Sequence, residues 1–359
     1  MHEDQSNKQK TSKTILVIGP AWVGDMVMAQ SLFKTIQKNH PGTLIDVLAP
    51  AWTYPLLRLM PEVREGILMP LGHGALGLGV RYRLAQSLKT CHYDQAIVLS
   101  NTWKSALVPF FAHIPKRTGW CGEMRWGLLN DLRSLDKTAF PLMIDRYAAL
   151  GYDKNRTPSN APWPELCVTP EEVQATLAHF SLEKMPLRPI LILCPGAEGG
   201  QAKRWPEDRF AVLANQKIKE GWQVWILGSP KDVPIAADVE GGIHKQYLGQ
   251  CINLTGKTTL DQAIHLLASA VQVVANDSGL MHVAAALQVP LVGIFGPSDA
   301  NHTPPLSKNA KAVSIDLSCR PCFKRSCPLK HHQCMQGLSP ERVAAAFYSP
   351  GMLGESSCK

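Results

Sequence analysis

Long apolar runs are missing from this chain: no uninterrupted stretch in its 359 residues is long enough to span a bilayer. The polar start MHEDQSNKQKTSK also has no signal-peptide core, so a cytoplasmic protein is expected. Charged residues make up only 18% of the chain and hydrophobic ones 45%, which excludes a disordered polymer and leaves ample core. The one GxGxxG spacing, GHGALG at 72–77, falls in the stretch Gly66 to Val80 that reads as a loop, so no strand is expected to run into that fingerprint with an acid after it, which counts against a nucleotide-dependent oxidoreductase. A clean basic stripe and a known nucleic-acid motif are missing as well, so no nucleic-acid partner is expected.

The net charge of +8 is distributed unevenly. Lys104, Lys116, Arg117, Arg125, Arg133, Lys137 and Arg146 are interleaved with Trp103, Trp120 and Trp126, but Glu123, Asp131, Asp136 and Asp145 share the stretch. Either a solvated face or contact with a phosphorylated or carboxylated acceptor would explain the pattern. The ten cysteines are scattered, some inside apparent strands, which suits reduced thiols better than a disulfide framework. Cys319, Cys322, Cys327 and Cys334 stand at C-x2-C-x4-C-x6-C with His331 and His332 between them. This looks superficially like zinc ligation, but the spacings after the first pair depart from common ribbons, so a loop of thiols is expected and no metal is assigned.

What is present is alternation of strands and helices. The chain exceeds what one core usually supports, and it reads as two similar halves. The first opens with the strand Thr14 to Ile18, the loop GPAWVGD and a helix from Met26 to about Asn39. Strands follow at Leu44 to Leu48 and Gln95 to Leu99, with a glycine-rich loop expected from Gly66 to Val80. The proline-rich segment 153–170 reads as a linker. The second half restarts with the strand Pro189 to Cys194, the loop PGAEGGQAKRW, a helix from Pro206 and a strand at Gln223 to Leu227. Two Rossmann-like domains of parallel sheets facing across a cleft are expected, an N-terminal one over 13–165 and a C-terminal one over 166–345.

The most informative stretch is VVANDSGLMHVAAALQVPLVGIFGP, which reads as strand, tight turn, helix and strand. Helix-start amides at the carboxyl end of a strand can donate to a diphosphate, and Asp277, Ser278, Gly279 and His282 surround that spot. Singly, Asp277 or Ser278 could be a cap and His282 a core histidine. Together they point to an anion site. Asp25 at the mouth of the first sheet could be a helix cap or a general base, and Lys203 in the matching second-half loop a solvated cation or a support for a departing nucleotide.

Three segments, GPAWVGDMVMAQSLF, CPGAEGGQAKRWPEDRFAVLA and NDSGLMHVAAALQVPLVGIFGPSD, closely resemble the ADP-heptose:lipopolysaccharide heptosyltransferases of glycosyltransferase family 9, from about Thr14 to Arg342. The loop forms AWVGD and GAEGGQAKRWP resemble the second branch, which adds the second heptose of the inner core. The resemblance implies a GT-B fold, lipopolysaccharide core biosynthesis and inversion in one displacement, with no cofactor and no obligatory metal. It implies Asp25 as base, Lys203 as leaving-group lysine, and Asp277, Ser278, Gly279 and His282 as the donor segment. Asp232 is the nearest counterpart of a carboxylate on the donor's nucleoside side. The implied partners are ADP-heptose and heptosyl-Kdo2-lipid A, reached by a peripheral visit to the cytosolic face of the inner membrane. Lys116, Arg117 and Arg125 are the expected acceptor contacts. A first-branch acceptor is the alternative.

Overall fold

The computed structural model describes residues 12–72, 74–154 and 160–348. The amino half holds one parallel sheet of β1 (Thr14–Ile18), β2 (Leu44–Pro50), β3 (Glu65–Met69), β4 (Gln95–Val98), β5 (Lys116–Trp120) and β6 (Asp131–Arg133), in the order β3-β2-β1-β4-β5-β6. The carboxyl half holds β7 (Ile190–Cys194), β8 (Gln223–Ile226), β9 (Cys251–Asn253), β10 (Gln272–Asn276), β11 (Leu291–Ile294) and β12 (Ala310–Val313), in the order β12-β11-β10-β7-β8-β9. Counted from each half's first strand the two orders are the same, and all pairs are parallel. Each sheet therefore reverses direction between its first and fourth strands, β1/β4 and β7/β10, where open α/β sheets leave a crevice.

The central strands are apolar because helices cover both faces. Leu16, Val17, Ile192, Leu193, Val273 and Val274 are buried. The helix Val23–Asn39 follows β1 and buries Met26, Val27, Ala29, Leu32, Phe33 and Ile36. In the carboxyl half, Thr259 caps the helix Leu260–Ala268 by accepting from the Gln262 N–H, with Gln262 reaching back. Trp205 and Trp225 are almost fully enclosed, and the Trp205 indole donates to Leu338 O at 2.9 Å.

The two halves meet through the carboxyl-end loops of their sheets. Helices Val23–Asn39 and Gly279–Ala286 pack against each other with glycine on both sides of the approach. A Cβ on Gly24 would lie 2.6 Å from the His282 ring, and one on Gly279 would lie 2.8 Å from Val23 Cβ. Peripheral ties add to this: Arg58 pairs with Asp261 at 2.8 Å, and Met143 N donates to His302 O at 3.0 Å.

Several expected elements shift. The segment Gly66 to Val80 is not all loop: Glu65–Met69 forms β3 along β2, and a helix begins at Leu78. Strands β5, β6 and β12 fall where no strand was expected, because toward a sheet edge a strand can carry charge, as in KRTGW, DLR and AKAV. The helix expected from Pro206 starts one residue later, with Pro206 as its cap. Residues 155–159 of the expected linker lie outside the described residues, as does the polar start up to residue 11.

Candidate active site

β1 delivers the chain into Gly19-Pro20-Ala21-Trp22 and then the first turn of the helix that carries Asp25. A carboxylate there gains from the helix dipole but loses hydration. Burial dominates and pushes the Asp25 carboxyl up to about 6. A hydrogen bond from the buried Tyr147 and the charge of Lys203 pull it down, and the charge of Asp277 pushes it up. A carboxyl held near 6 is ionised at neutral pH yet basic enough to take a proton. Tyr147 was not singled out from sequence: its helix, Met143–Ala149, carries no motif.

Lys203 ends a short turn, Gln201–Lys203, in the loop that follows β7. Its ammonium meets the Asp277 carboxylate at 2.6 Å, with Asp277 almost fully buried at the end of β10. Asn276, just before it, ties the two loops together: its Nδ2 donates to Pro195 O at 2.7 Å and its Oδ1 accepts from Trp205 N at 3.0 Å. Asn276 was visible in the sequence only as part of turn chemistry. Ser278 is the extended cap residue of Gly279–Ala286, and its side chain makes no cap bond. The first amides of that helix have no acceptor within it, and its start packs against Val23 and Gly24 at the start of the Asp25 helix. His282 is buried one turn in. Burial lowers its pKa to about 4, opposed by Asp277 and aided by Lys203, so its ring is neutral.

The structure thus brings Asp25, Lys203, Asp277, Ser278, Gly279 and His282 to one place, where the amino ends of two helices converge. Asp232 lies on the neighbouring loop, buried. Its Oδ2 accepts from Ser229 N at 2.9 Å and from Ser229 Oγ at 2.7 Å, and a Cβ on Gly196 would strike its carboxyl group at 2.3–2.5 Å. Its carboxylate closes a capping box inside that loop.

Beside Asp25 opens a cavity of about 430 Å³ in the amino half. Loops after β1 to β5 line it, among them Trp22, Trp52, Gly72, Gly74, Asn101 and Trp120. Its charged lining is Asp25 with Arg81, Lys104 and Arg146. Lys104 Nζ donates to Gly74 O at 2.7 Å, and Arg81 Nε to Leu76 O at 2.7 Å, so two of these cations also brace the glycine-rich loop.

Lys116, Arg117 and Arg125, expected as acceptor contacts, do not line this cavity. Lys116 and Arg117 begin β5, at the amino ends of the strands and so opposite the cavity, because a parallel strand presents its carboxyl end to the crevice. Arg117 is spent on Leu128 O and Ile114 O, both at 2.7 Å, and on the Phe110 ring. Arg125 is buried and donates to Ser100 O, Asn101 Oδ1 and Trp120 O, bracing the cavity wall from behind.

The cysteine-rich segment packs elsewhere. Cys319, Cys322, Cys327, Cys334, His331 and His332 surround a small cavity of about 40 Å³. Among the described residues no three His, Cys, Asp or Glu side chains form a metal-holding group, and nine cysteines are free thiols. The segment does touch the Lys203 loop, since Ala202 N donates to Arg325 O at 3.1 Å. No helix among the described residues is long and apolar enough to cross a membrane.

With this geometry established, comparison with known proteins is informative. A profile of glycosyltransferase family 9 (heptosyltransferase) matches residues 81–333. Lipopolysaccharide heptosyltransferase 2 of Escherichia coli K12 is 51% identical over 335 residues, covering 92% of this chain and 96% of that protein. The Salmonella typhimurium protein of the same name is 50% identical over 341 residues, covering 93% and 97%. The solved structure of E. coli ADP-heptose LPS heptosyltransferase II superposes with a TM-score of 0.84 at 47% identity, covering 93% of this chain and 97% of that one. Two parallel Rossmann-like sheets meeting at their carboxyl ends are the GT-B arrangement. The chain belongs to glycosyltransferase family 9, the heptosyltransferases, and is a glycosyltransferase of lipopolysaccharide synthesis.

Proposed function

We propose that this enzyme transfers L-glycero-D-manno-heptose from ADP-heptose to the first heptose of heptosyl-Kdo2-lipid A, with inversion. The observation that carries the reading is the position of Asp25, a buried carboxyl near 6 standing between a cation-lined cavity and the Lys203–Asp277 segment. The acceptor hydroxyl oxygen attacks the anomeric carbon, its proton passes to Asp25, and the bond to the β-phosphate oxygen breaks with its electron pair left on ADP. One displacement at that carbon inverts it.

Lys203 and the amides at Ser278 and Gly279 stabilise the charge that grows on the departing diphosphate. Lys203 is held on Asp277 at 2.6 Å, so a diphosphate would draw the ammonium off while Asp277 turns to heptose hydroxyls. His282, neutral and packed on Gly24, fixes the seam between the two helices. Asp232 shapes the loop on the nucleoside side. Carboxylates and phosphates of the acceptor are met by Arg81, Lys104 and Arg146, cations from three separate helical segments around one cavity. The lipid end stays in the bilayer, so the enzyme visits the cytosolic face of the inner membrane as a peripheral protein. The strong similarity to heptosyltransferase 2 proteins favours the second-heptose acceptor over the first-branch alternative.

Acceptor-dependent ADP release tests this. ADP should appear from ADP-heptose only with heptosyl-Kdo2-lipid A present, and NMR of the product should show the inverted anomer. Equal release with Kdo2-lipid A as acceptor would move the enzyme to the first-branch reading.

A further inference from the structure

The loop after β11 reaches out of the carboxyl half and touches the helix Met143–Ala149, which carries Tyr147. Asp299 shapes its turn, accepting from Asn301 N at 2.8 Å through Oδ1 and from His302 N at 3.0 Å through its carbonyl. His302 then makes three contacts with the amino half. Its carbonyl accepts from Met143 N at 3.0 Å, its Nδ1 meets Pro141 O at 2.7 Å, and its Nε2 lies 3.5 Å from Arg146 NH1. A carbonyl can only accept and a guanidinium only donate, so the ring donates from Nδ1 and accepts at Nε2.

These contacts fall on the first turn of the helix Met143–Ala149, whose cap residue Leu142 has no side-chain cap bond. The other side of the helix is fixed to β5, where the Trp120 indole donates to Arg146 O at 3.1 Å. The next residue is Tyr147, buried, which lines the same cavity as Asp25 and whose hydroxyl hydrogen bond favours the Asp25 carboxylate.

We propose that Tyr147 and His302 are positioning residues for Asp25: His302 pins the helix from the donor-binding half, and Tyr147 transmits that placement to the carboxyl group. The base is then set correctly only when the two halves are together, so transfer is coupled to cleft closure. The inference rests on the role of Asp25 as base. Asp25 is faced by Tyr147 from this helix, by Lys203 from the loop after β7, by Asp277 from the end of β10, and by the His282 ring from the helix Gly279–Ala286 across Gly24. Among these, Tyr147 alone is tied by its own helix to His302.

The test is the pH dependence of kcat/KM in wild type, Tyr147→Phe, His302→Ala and the double variant. It is paired with an infrared titration of the Asp25 carboxyl, taken as the difference from Asp25→Asn. Tyr147→Phe removes a hydrogen bond that favours the carboxylate, so both the acid limb and the infrared titration should move up by about one pH unit. His302→Ala should lower kcat by roughly three- to tenfold through misplacement, move the titration in the same direction, and leave the ADP dissociation constant unchanged. The double variant should shift no further than Tyr147→Phe alone, because both act through one contact. An unshifted titration in Tyr147→Phe overturns the positioning role, and so do shifts of the two variants that add in full. Near-normal turnover by Asp25→Asn removes the base itself, a separate result from either of these.

Discussion

The two halves share one topology but prepare their carboxyl-end loops in opposite ways. In the amino half the loops leave an open cavity, and Asp25 has a tyrosine but no cation bonded to it. In the carboxyl half the equivalent space is closed by internal bonds: Lys203 on Asp277, Asn276 across to Pro195 and Trp205, and Asp232 on Ser229. The difference separates two tasks. The proposed acceptor, anchored in a membrane, needs a standing opening that it can enter from one side. A soluble diphosphate donor brings enough charge to break an existing ion pair and take its place.

Breaking the closed side should have the larger effect. Lys203→Ala should lower kcat/KM for ADP-heptose by about 10²–10³-fold, the cost of losing an oriented cation at a developing charge. Steady-state kinetics at fixed saturating acceptor will check this. Lys203 also holds Asp25 down, so the acid limb of the same profile should move to higher pH. An unchanged profile would mean that the two halves do not share one electrostatic site.

The open side should give a smaller, salt-sensitive effect. Lys104→Ala should raise the acceptor KM by roughly tenfold at low salt, less at high salt, with the donor KM unchanged. Lys116→Ala, at the amino end of its strand and so opposite the cavity, should leave both constants alone. Equal effects of the two variants would make the cations a general field and not a lining.

The smallest effect concerns stability. The Asp25 pKa is raised by folding, so its ionisation opposes folding at pH above about 6, and that cost vanishes as pH falls toward its ordinary value near 4. Asp25→Asn should therefore be more stable than wild type at pH 7.5, by roughly 3 kcal/mol, and the gap in Tm should close on acidification toward pH 4. A variant that is less stable at pH 7.5 would place Asp25 in a structural role.

The same contrast explains what could be read from the sequence. The donor side was legible because its chemistry is contiguous: Asn276 to His282 is one strand end, one turn and one helix start, and Lys203 sits in a glycine loop at the matching position. Asp25 was legible for the same reason. The cavity was not, because Arg81, Lys104 and Arg146 come from helical segments that follow different strands and are interleaved in sequence with cations that serve the scaffold. Arg117, Arg125 and Arg146 look equivalent along the chain, and all three donate to backbone carbonyls, yet of the three only Arg146 lines the cavity. Only the parallel register of β4, β5 and β6 decides which end of each strand faces the crevice. Tyr147 was hidden because its significance depends on a packing contact with Asp25, 122 positions earlier in the chain.

The most direct test of the central claim is single-turnover transfer by wild type and Asp25→Asn, with donor and acceptor both saturating. The account predicts that the variant binds ADP-heptose with wild-type affinity but transfers at least about 10²-fold more slowly, and that the wild-type rate falls as pH drops through about 6. A variant that transfers at a near-normal rate, or a wild-type rate that is flat from pH 5 to pH 8 on that scale of about three pH units, would contradict it.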